Sequence, residues 1–455
     1  MPEDFFEPAL LKKYNMSGPR YTSYPTALEF KGDFKQDDLL LAIENSPNRQ
    51  LSLYIHIPFC HSLCYYCGCN KIVTRHSEKA DVYLQYLAQE INSRAALFSD
   101  YTVIQLHLGG GTPSFLSQQQ LSYLLAHLQD KFAFAAQCEM SIEIDPREIP
   151  LDLADHLADI GFNRLSIGVQ DIDPKVQKAI NRQQSTDFIE QFVARAKSVG
   201  FRSINLDLIY GLPHQTPESF LHTLNWVNTL DVERLSLFSY AHMPSRFAAQ
   251  RKIRDEWLPG AQEKLALMKL SIETLCKFGY EFIGMDHFAK PDDELAVAQR
   301  EGKLHRNFQG YTTGGDSDLL GLGVSAISAI GNCFSQNIKA LPAYYKQIEQ
   351  QQDAIEKGVV LSKDDQLRAE VIRELMCNLQ VNKHTVEQKF AIDFDDYFHS
   401  EIAALAPFIE DDLVCLDSAI IKVNAKARLL VRLICMCFDR YLQQKSKLQQ
   451  YSRVI

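Results

Sequence analysis

From residue 51 onward the chain alternates strand-like runs with helix-like segments, and this rhythm limits its fold more than any other feature. Runs rich in apolar and β-branched residues occupy 51–57, 103–108, 139–144, 164–169, 203–209 and 234–240. Between and after them, helical periodicity covers 78–98, 117–132, 186–199, 216–229 and 261–278. Strands that alternate with amphipathic helices imply βαβ units and a parallel sheet. Right-handed crossovers would curl six such units into a barrel or part of one, so an α/β partial (β/α)6 barrel is expected. No repeat at solenoid period competes with it.

The two ends differ from this middle. Residues 1–45 are polar and aromatic-rich, and within Ser17–Thr26 Gly18, Pro19 and Pro25 preclude a continuous helix. Such an arm is either a lid over an active site or a segment packed down by its own tyrosines. After about residue 350 the alternation stops. Helical segments at 362–379 and 425–448 frame strand-like pieces near 413–423, giving a small, mostly helical C-terminal domain. The last segment reads as a packed amphipathic helix. The expected divisions are 1–45 for the arm, 46–350 for the barrel and 351–455 for the C-terminal domain.

A chain of 455 residues can bury a full core and form more than one domain. With 46% hydrophobic and 23% charged residues, the composition is that of an ordinary globular protein. A formal charge of −10 argues against nucleic acid and anionic membrane as partners. The acidic start, Met1-Pro-Glu-Asp-Phe-Phe-Glu, lacks the apolar core of a signal peptide. No apolar run approaches the ~20 residues a membrane span requires. A cytoplasmic chain with reduced thiols is expected.

Against that background the run Cys60-His-Ser-Leu-Cys64-Tyr-Tyr-Cys67-Gly-Cys69 stands out. Zinc sites space their cysteines in two separated pairs, and no second pair follows. Iron–sulfur clusters are held by closely spaced thiolates. Three thiolates would leave one iron of a four-iron cluster open for a substrate. Cys69 as a fourth ligand would instead give a closed cluster for electron transfer. The spacing, with aromatic Tyr66 before the third cysteine, resembles the signature of the radical S-adenosylmethionine enzymes. The other cysteines (Cys138, Cys276, Cys333, Cys377, Cys415, Cys435, Cys437) read as small buried hydrophobes.

In βα barrels the chemistry gathers at the C-terminal ends of the strands. The second strand here ends Leu108-Gly109-Gly110-Gly111-Thr112-Pro113. Its glycines allow close approach to a ligand, or else a tight turn into the next helix. The third ends Ile142-Glu143-Ile144-Asp145-Pro146, where a carboxylate between isoleucines needs a partner, either a ligand or a structural arginine. Gln170, then Arg182, follow the fourth strand; Asp207 and Ala241 stand at the fifth and sixth. Singly each could be a structural hydrogen-bonder; on one rim they form a site.

Taken together, these pieces closely resemble the oxygen-independent coproporphyrinogen III oxidases. The segments that carry the resemblance are Cys60–Cys69, Gly-Gly-Gly-Thr-Pro, Asp207-Leu-Ile-Tyr-Gly-Leu-Pro and Arg306-Asn-Phe-Gln-Gly-Tyr-Thr-Thr. It runs from Tyr14-Asn-Met-Ser-Gly-Pro-Arg-Tyr-Thr-Ser-Tyr-Pro-Thr26 to Tyr451-Ser-Arg-Val-Ile455, almost the whole chain. It implies a radical-SAM barrel in which Cys60, Cys64 and Cys67 hold a [4Fe-4S] cluster, with Cys69 an extra cysteine beside it. It also implies two molecules of S-adenosylmethionine. Tyr54, Gly110, Glu143 and Ile327 would contact the first; Tyr66, Gly111, Thr112, Gln170, Arg182, Asp207 and Ala241 the second. Position 66 carries Tyr where the family often has Phe.

The implied reaction belongs to porphyrin and haem biosynthesis. Two propionate side chains of coproporphyrinogen III would be oxidatively decarboxylated to vinyl groups through a 5′-deoxyadenosyl radical, giving protoporphyrinogen IX. Arg20 in the arm is a candidate partner for a substrate carboxylate, with an ordinary surface arginine as the alternative. A monomer is expected, with a cluster reductant and an electron acceptor that the sequence does not identify. Haem-chaperone relatives share the barrel and cluster motif but lack the extra cysteine and this arm. A simple electron carrier would need neither the glycine turn nor the polar rim.

Overall fold

The six parallel strands that follow residue 50 alternate between apolar and polar side chains over most of their length, and the two sets come to lie on opposite faces. The structure is a computed structural model and describes residues 7–14 and 16–442. Six strands, β1 (Gln50–Ile57), β2 (Thr102–Gly110), β3 (Ala133–Ile144), β4 (Arg164–Gln170), β5 (Ser203–Tyr210) and β6 (Arg234–Ser239), pair in parallel in chain order. Helices α1 (Glu78–Ala95), α2 (Gln118–Lys131), α3 (Leu153–Asp159), α4 (Thr186–Ser198) and α5 (Pro217–Thr229) carry the chain between them. This is the expected α/β architecture.

The apolar face holds the sheet in place. Leu51, Leu53, Ile55, Leu165, Ile167, Leu206 and Leu208 are all at most 2% exposed. Each such burial contributes about 1.5–3 kcal/mol. The helices answer with helical-period stripes; α4 buries Ile189, Phe192, Val193 and Ala196. Local chemistry fixes where the helices begin. Ser117 caps α2 in a reciprocal box with Gln120, Ser185 accepts from the Phe188 amide at α4, and Thr216 caps α5 ahead of Pro217.

Beyond β1 the sheet continues in a direction the sequence did not suggest. A parallel strand, β7 (Asp318–Leu322), pairs with β1, followed by antiparallel β8 (Ile327–Ile330), β9 (Cys333–Asn337) and β10 (Ile355–Val360). Glycines at 321 and 323 interrupt the pattern that would have marked β7 as a strand. They are required there: a Cβ at Gly321 would collide with the Ile327 carbonyl.

Two compact units divide the chain, one holding 30–268 and 316–360, the other 1–29, 269–315 and 361–455. The first contains the strands and helices above, together with a helix at Gln36–Asn45. The second is built on a helix at Lys363–Asn378 and a three-stranded sheet of Gln380–Asn382, Ile420–Val423 and Val414–Leu416.

Within the second unit the arm is packed by its tyrosines. Tyr21 and Tyr24 are buried, Tyr21 Oη donates to Asp439 Oδ2 at 2.9 Å, and Tyr24 Oη accepts from the Arg440 amide at 3.2 Å. Arg432 Nε donates to the Pro19 carbonyl at 2.8 Å, and Arg20 pairs with Asp286.

Two expectations need correction. The helix expected over 425–448 is a 3-10 turn at Ala425–Leu430 and a short α-helix at Val431–Met436. Beyond its end, Asp439 Oδ1 accepts from the Tyr441 amide at 2.9 Å and offers the backbone a turn in place of further helix. Residues 443–448 and the Tyr451–Ile455 segment lie outside the described residues. Cys415 is exposed on its short strand, whereas Cys138, Cys333, Cys377 and Cys435 are buried as expected. Among the described residues, no helix is long and apolar enough to cross a membrane.

Candidate cofactor site

The cysteine loop is an extension of β1 past its C-terminal end. Phe59–Cys60 pairs with Ile72–Val73, which closes the loop: the Ile72 amide donates to the Pro58 carbonyl at 2.7 Å and the Thr74 amide to that of Cys60 at 2.9 Å. Further ties hold its middle. Asn181 Nδ2 donates to the Leu63 carbonyl at 2.8 Å, and Lys71 Nζ to that of Cys67 at 3.0 Å. Buried Gln250 donates to the Tyr66 carbonyl at 2.9 Å and to the Ala241 carbonyl at 3.2 Å. Tyr66 and Ala241, expected at one binding site, are thus brought together by a residue the sequence did not flag.

Each of the first three sulfurs receives a donor. Thr112 Oγ1 donates to Cys60 Sγ at 3.3 Å, and the Cys69 amide to Cys67 Sγ at 3.5 Å. Cys64 Sγ accepts from Arg147 Nη2 at 3.4 Å and from Arg182 Nη1 at 3.5 Å. Cys60 and Cys64 are buried, Cys67 is half-buried and Cys69 is exposed. The hydrogen bond between the Cys69 and Cys67 thiols, helped by Lys71, outweighs burial and lowers Cys67 to about 6. Burial outweighs the Thr112 bond and pushes Cys60 up to about 11.

The glycine turn has a packing reason beside any ligand. A Cβ at Gly111 would lie 2.7 Å from the Pro58 carbonyl carbon and oxygen; one at Gly110, where φ is +116°, would lie 2.6 Å from the His56 ring. The end of β2 therefore presses directly on the start of the cysteine loop. Only glycine permits that approach.

Below the loop, the polar face of the sheet forms two groups. In the first, Tyr54 is in register with His107 and with Gly321, against which the Ile327 backbone lies. Glu143 Oε2 accepts from the Gly110 amide at 3.2 Å, and His107 stands between Glu143 Oε1 at 3.4 Å and Ser141 Oγ at 2.6 Å. Among the described residues, the partners of Glu143 are thus a backbone amide and a histidine, with no structural arginine.

The second group lies over β4, β5 and β6. Arg182 Nη2 donates to the Gly168 carbonyl at 2.6 Å, and a Cβ at Gly168 would meet the Gln170 amide nitrogen at 2.9 Å. Asp207 is in register with Gly168 on one side and Ser236 on the other. Ser166 Oγ and Asn205 Nδ2 donate to its two oxygens at 3.2 and 2.9 Å. Burial, with the charge of Glu143, still raises its pKa to about 6. Asp145 goes the other way: burial raises it, but Arg182 and Arg147 prevail and hold it at about 2.

Arg20 is placed in the other unit, on Asp286. Four residues of the site were missed. Arg147 follows Asp145 by two positions, and the charge pair across Pro146 was a legible signal. His107 and His56 were legible as histidines alternating with apolar neighbours on β2 and β1. Gln250, in an aperiodic stretch, gave none.

The comparisons with known proteins bear on this geometry. Residues 54–227 match the Radical SAM superfamily, and residues 361–430 match the HemN C-terminal domain. The chain is 57% identical over 447 residues to the oxygen-independent coproporphyrinogen III oxidase of Escherichia coli K12, covering 98% of each. The chain belongs to the oxygen-independent coproporphyrinogen III oxidase family. The Pseudomonas aeruginosa member is 47% identical, again over 98% of each chain. The solved structure of the Escherichia coli enzyme, described as a radical SAM enzyme, superposes with a TM-score of 0.93 at 54% identity and covers 96% of this chain and 100% of that one.

Membership of the coproporphyrinogen III oxidase family makes the chain a radical SAM oxidoreductase that uses a [4Fe-4S] cluster and S-adenosylmethionine. The residues present fit both groups. Among the described residues no three His, Cys, Asp or Glu side chains converge as one metal ion would require. A cluster asks instead for separate thiolates at its corners, and each of the three cysteine sulfurs already accepts a hydrogen bond. Beside them Arg182 Nε is buried without a partner, which suits a ligand that carries acceptors.

Proposed function

We propose that this chain converts coproporphyrinogen III to protoporphyrinogen IX without oxygen, by oxidative decarboxylation of two propionate side chains to vinyl groups. Cys60, Cys64 and Cys67 hold the cluster, and two molecules of S-adenosylmethionine bind the polar face of the barrel. Bound together, cluster and cofactor supply one-electron chemistry able to break a carbon–hydrogen bond. The residues of the chain bind, orient and shield.

The observation that carries this reading is the separation of the polar face into two groups. Tyr54, Gly110, Glu143 and Ile327 gather around β1, β2 and β7, whereas Gln170, Arg182, Asp207, Ala241 and Tyr66 gather over β4 to β6. Glu143 and the Gly110 amide suit a ligand with an ammonium and a carboxylate. Asp207, desolvated and raised to about 6, suits a cationic or hydroxyl-bearing ligand that would favour its charged form. Gly111 and Thr112, at the junction with Cys60, face the second molecule in this reading.

Cys69 lies outside the ligand set; its amide serves Cys67. Arg20 would exchange Asp286 for a substrate carboxylate. The eleven cysteines are all free, which supports a reducing cytoplasmic setting, and a monomer served by a low-potential reductant and a separate electron acceptor completes the proposal. Anaerobic turnover of coproporphyrinogen III by the reconstituted protein, with porphyrins and 5′-deoxyadenosine separated by liquid chromatography, tests it. Protoporphyrin formed only with both cofactor and reductant is expected. Cofactor cleavage with no change in the porphyrin would contradict it.

A further inference from the structure

Two guanidinium groups meet at one cluster cysteine; the other two sulfurs accept from a hydroxyl and a main-chain amide, with the Lys71 ammonium held near Cys67 by that residue's carbonyl. Arg147 Nη2 and Arg182 Nη1 both donate to Cys64 Sγ, at 3.4 and 3.5 Å. Cys60 accepts from the Thr112 hydroxyl, and Cys67 from the main-chain amide of Cys69. The two arginines share a single carboxylate: Asp145 Oδ2 lies 2.6 Å from Arg147 Nη2 and 3.1 Å from Arg182 Nη1. Two cations and one anion leave this group with one net positive charge. Both side chains are largely withdrawn from solvent, 12% and 6% exposed, so water screens that charge weakly.

Arg182 has a further attachment, the Gly168 carbonyl, and belongs to the proposed second cofactor site. Arg147 has no such duty toward a cofactor. Apart from Asp145 and Cys64, its side chain donates among the described residues only to the Asn181 carbonyl, at 3.3 Å.

We propose that Arg147 sets the reduction potential of the cluster, an inference that rests on Cys60, Cys64 and Cys67 being its ligands. The reduced cluster, having accepted one electron from a low-potential one-electron donor, carries one more negative charge than the oxidised cluster. A cation at a ligand sulfur therefore stabilises the reduced form more and raises the potential. Without Arg147, Asp145 and Arg182 form a neutral pair and the net charge at Cys64 is gone.

Anaerobic dithionite titration of the reconstituted full-length chain, followed by electron paramagnetic resonance without S-adenosylmethionine, reads this directly. Arg147→Gln and Arg147→Lys are compared with the parent at matched iron content. The Gln variant is expected to shift the midpoint to more negative potential, and the Lys variant, which keeps the charge, to restore most of the difference. An unchanged midpoint in the Gln variant, or equal shifts in both, overturns the proposal. Loss of iron in either variant also overturns it, because Arg147 would then be a structural support. Failure of the parent to hold a four-iron cluster removes the reading beneath the inference, and the inference with it.

Discussion

The two faces of the same six strands obey different rules. On one, Leu51, Leu53, Ile55, Ile167 and Leu206 are buried to within 1% of completely, with no polar group to satisfy. On the other, His107 bonds across the strands to Ser141 and Glu143, and Ser166 to Asn205 and Asp207, and Asp207 is desolvated enough to hold its proton up to a pH of about 6. Strands of a parallel sheet buried on both faces read as continuous apolar runs. A period of two in such strands therefore marks a face kept for something other than packing. One face stabilises the fold; the other carries polar groups that cost stability and suit a ligand.

Substitutions can separate the two. The largest effect is expected at the cysteine loop. Replacing Cys60, Cys64 or Cys67 with Ala should abolish the four-iron signal, while Cys69→Ala should leave it largely intact, because Ala keeps the amide that serves Cys67. Iron analysis and electron paramagnetic resonance of the four variants read this out. Loss of the signal in Cys69→Ala would indicate a closed four-thiolate cluster.

Next come the apolar positions. Leu206→Ala should cost about 2–5 kcal/mol of stability by denaturant unfolding, through lost burial and a residual cavity. Ser166→Ala, on the opposite face of the neighbouring strand, should cost less, about 1–2 kcal/mol, for its two hydrogen bonds, one donated to Asp207 and one accepted from Asn205. Comparable losses at the two positions would mean that both faces serve packing alike.

A smaller, pH-dependent effect should appear at Asp207. Its folded-state pKa stands above the unfolded value, so the unfolded chain gives up this proton first as pH rises. Stability is therefore lost between 3.8 and about 6, and the penalty is complete above that window. Asp207→Asn should be more stable than the parent at neutral pH, by about 1–3 kcal/mol, and match it below pH 4. Denaturant midpoints across this range provide the check; a parent as stable as the variant at neutral pH would mean the carboxylate is already compensated.

Much of this could be read from the residues. The six strands stood out because apolar positions recur on each, and the cluster loop because thiols that close have few other uses. The strands after residue 316 did not, since Gly321 and Gly323 answer to contacts with Ile327, Tyr83 and the His56 carbonyl that only the fold creates. Arg147 and Gln250 were overlooked because their work is defined by partners, Cys64 and the Tyr66 carbonyl, more than 80 residues away. The burial of Tyr21 and Tyr24 in the arm was not legible either, because their partners, Asp439 and Arg440, lie more than 400 residues away.

The central claim is that the polar face takes two molecules of S-adenosylmethionine through separate carboxylates, and equilibrium binding under anaerobic conditions tests it most directly. With the cluster reconstituted, the parent should bind two equivalents. Asp207→Ala should retain about one, with the spectrum of the cluster-bound molecule unchanged. A single equivalent in the parent, or loss of both in the variant, would contradict the account.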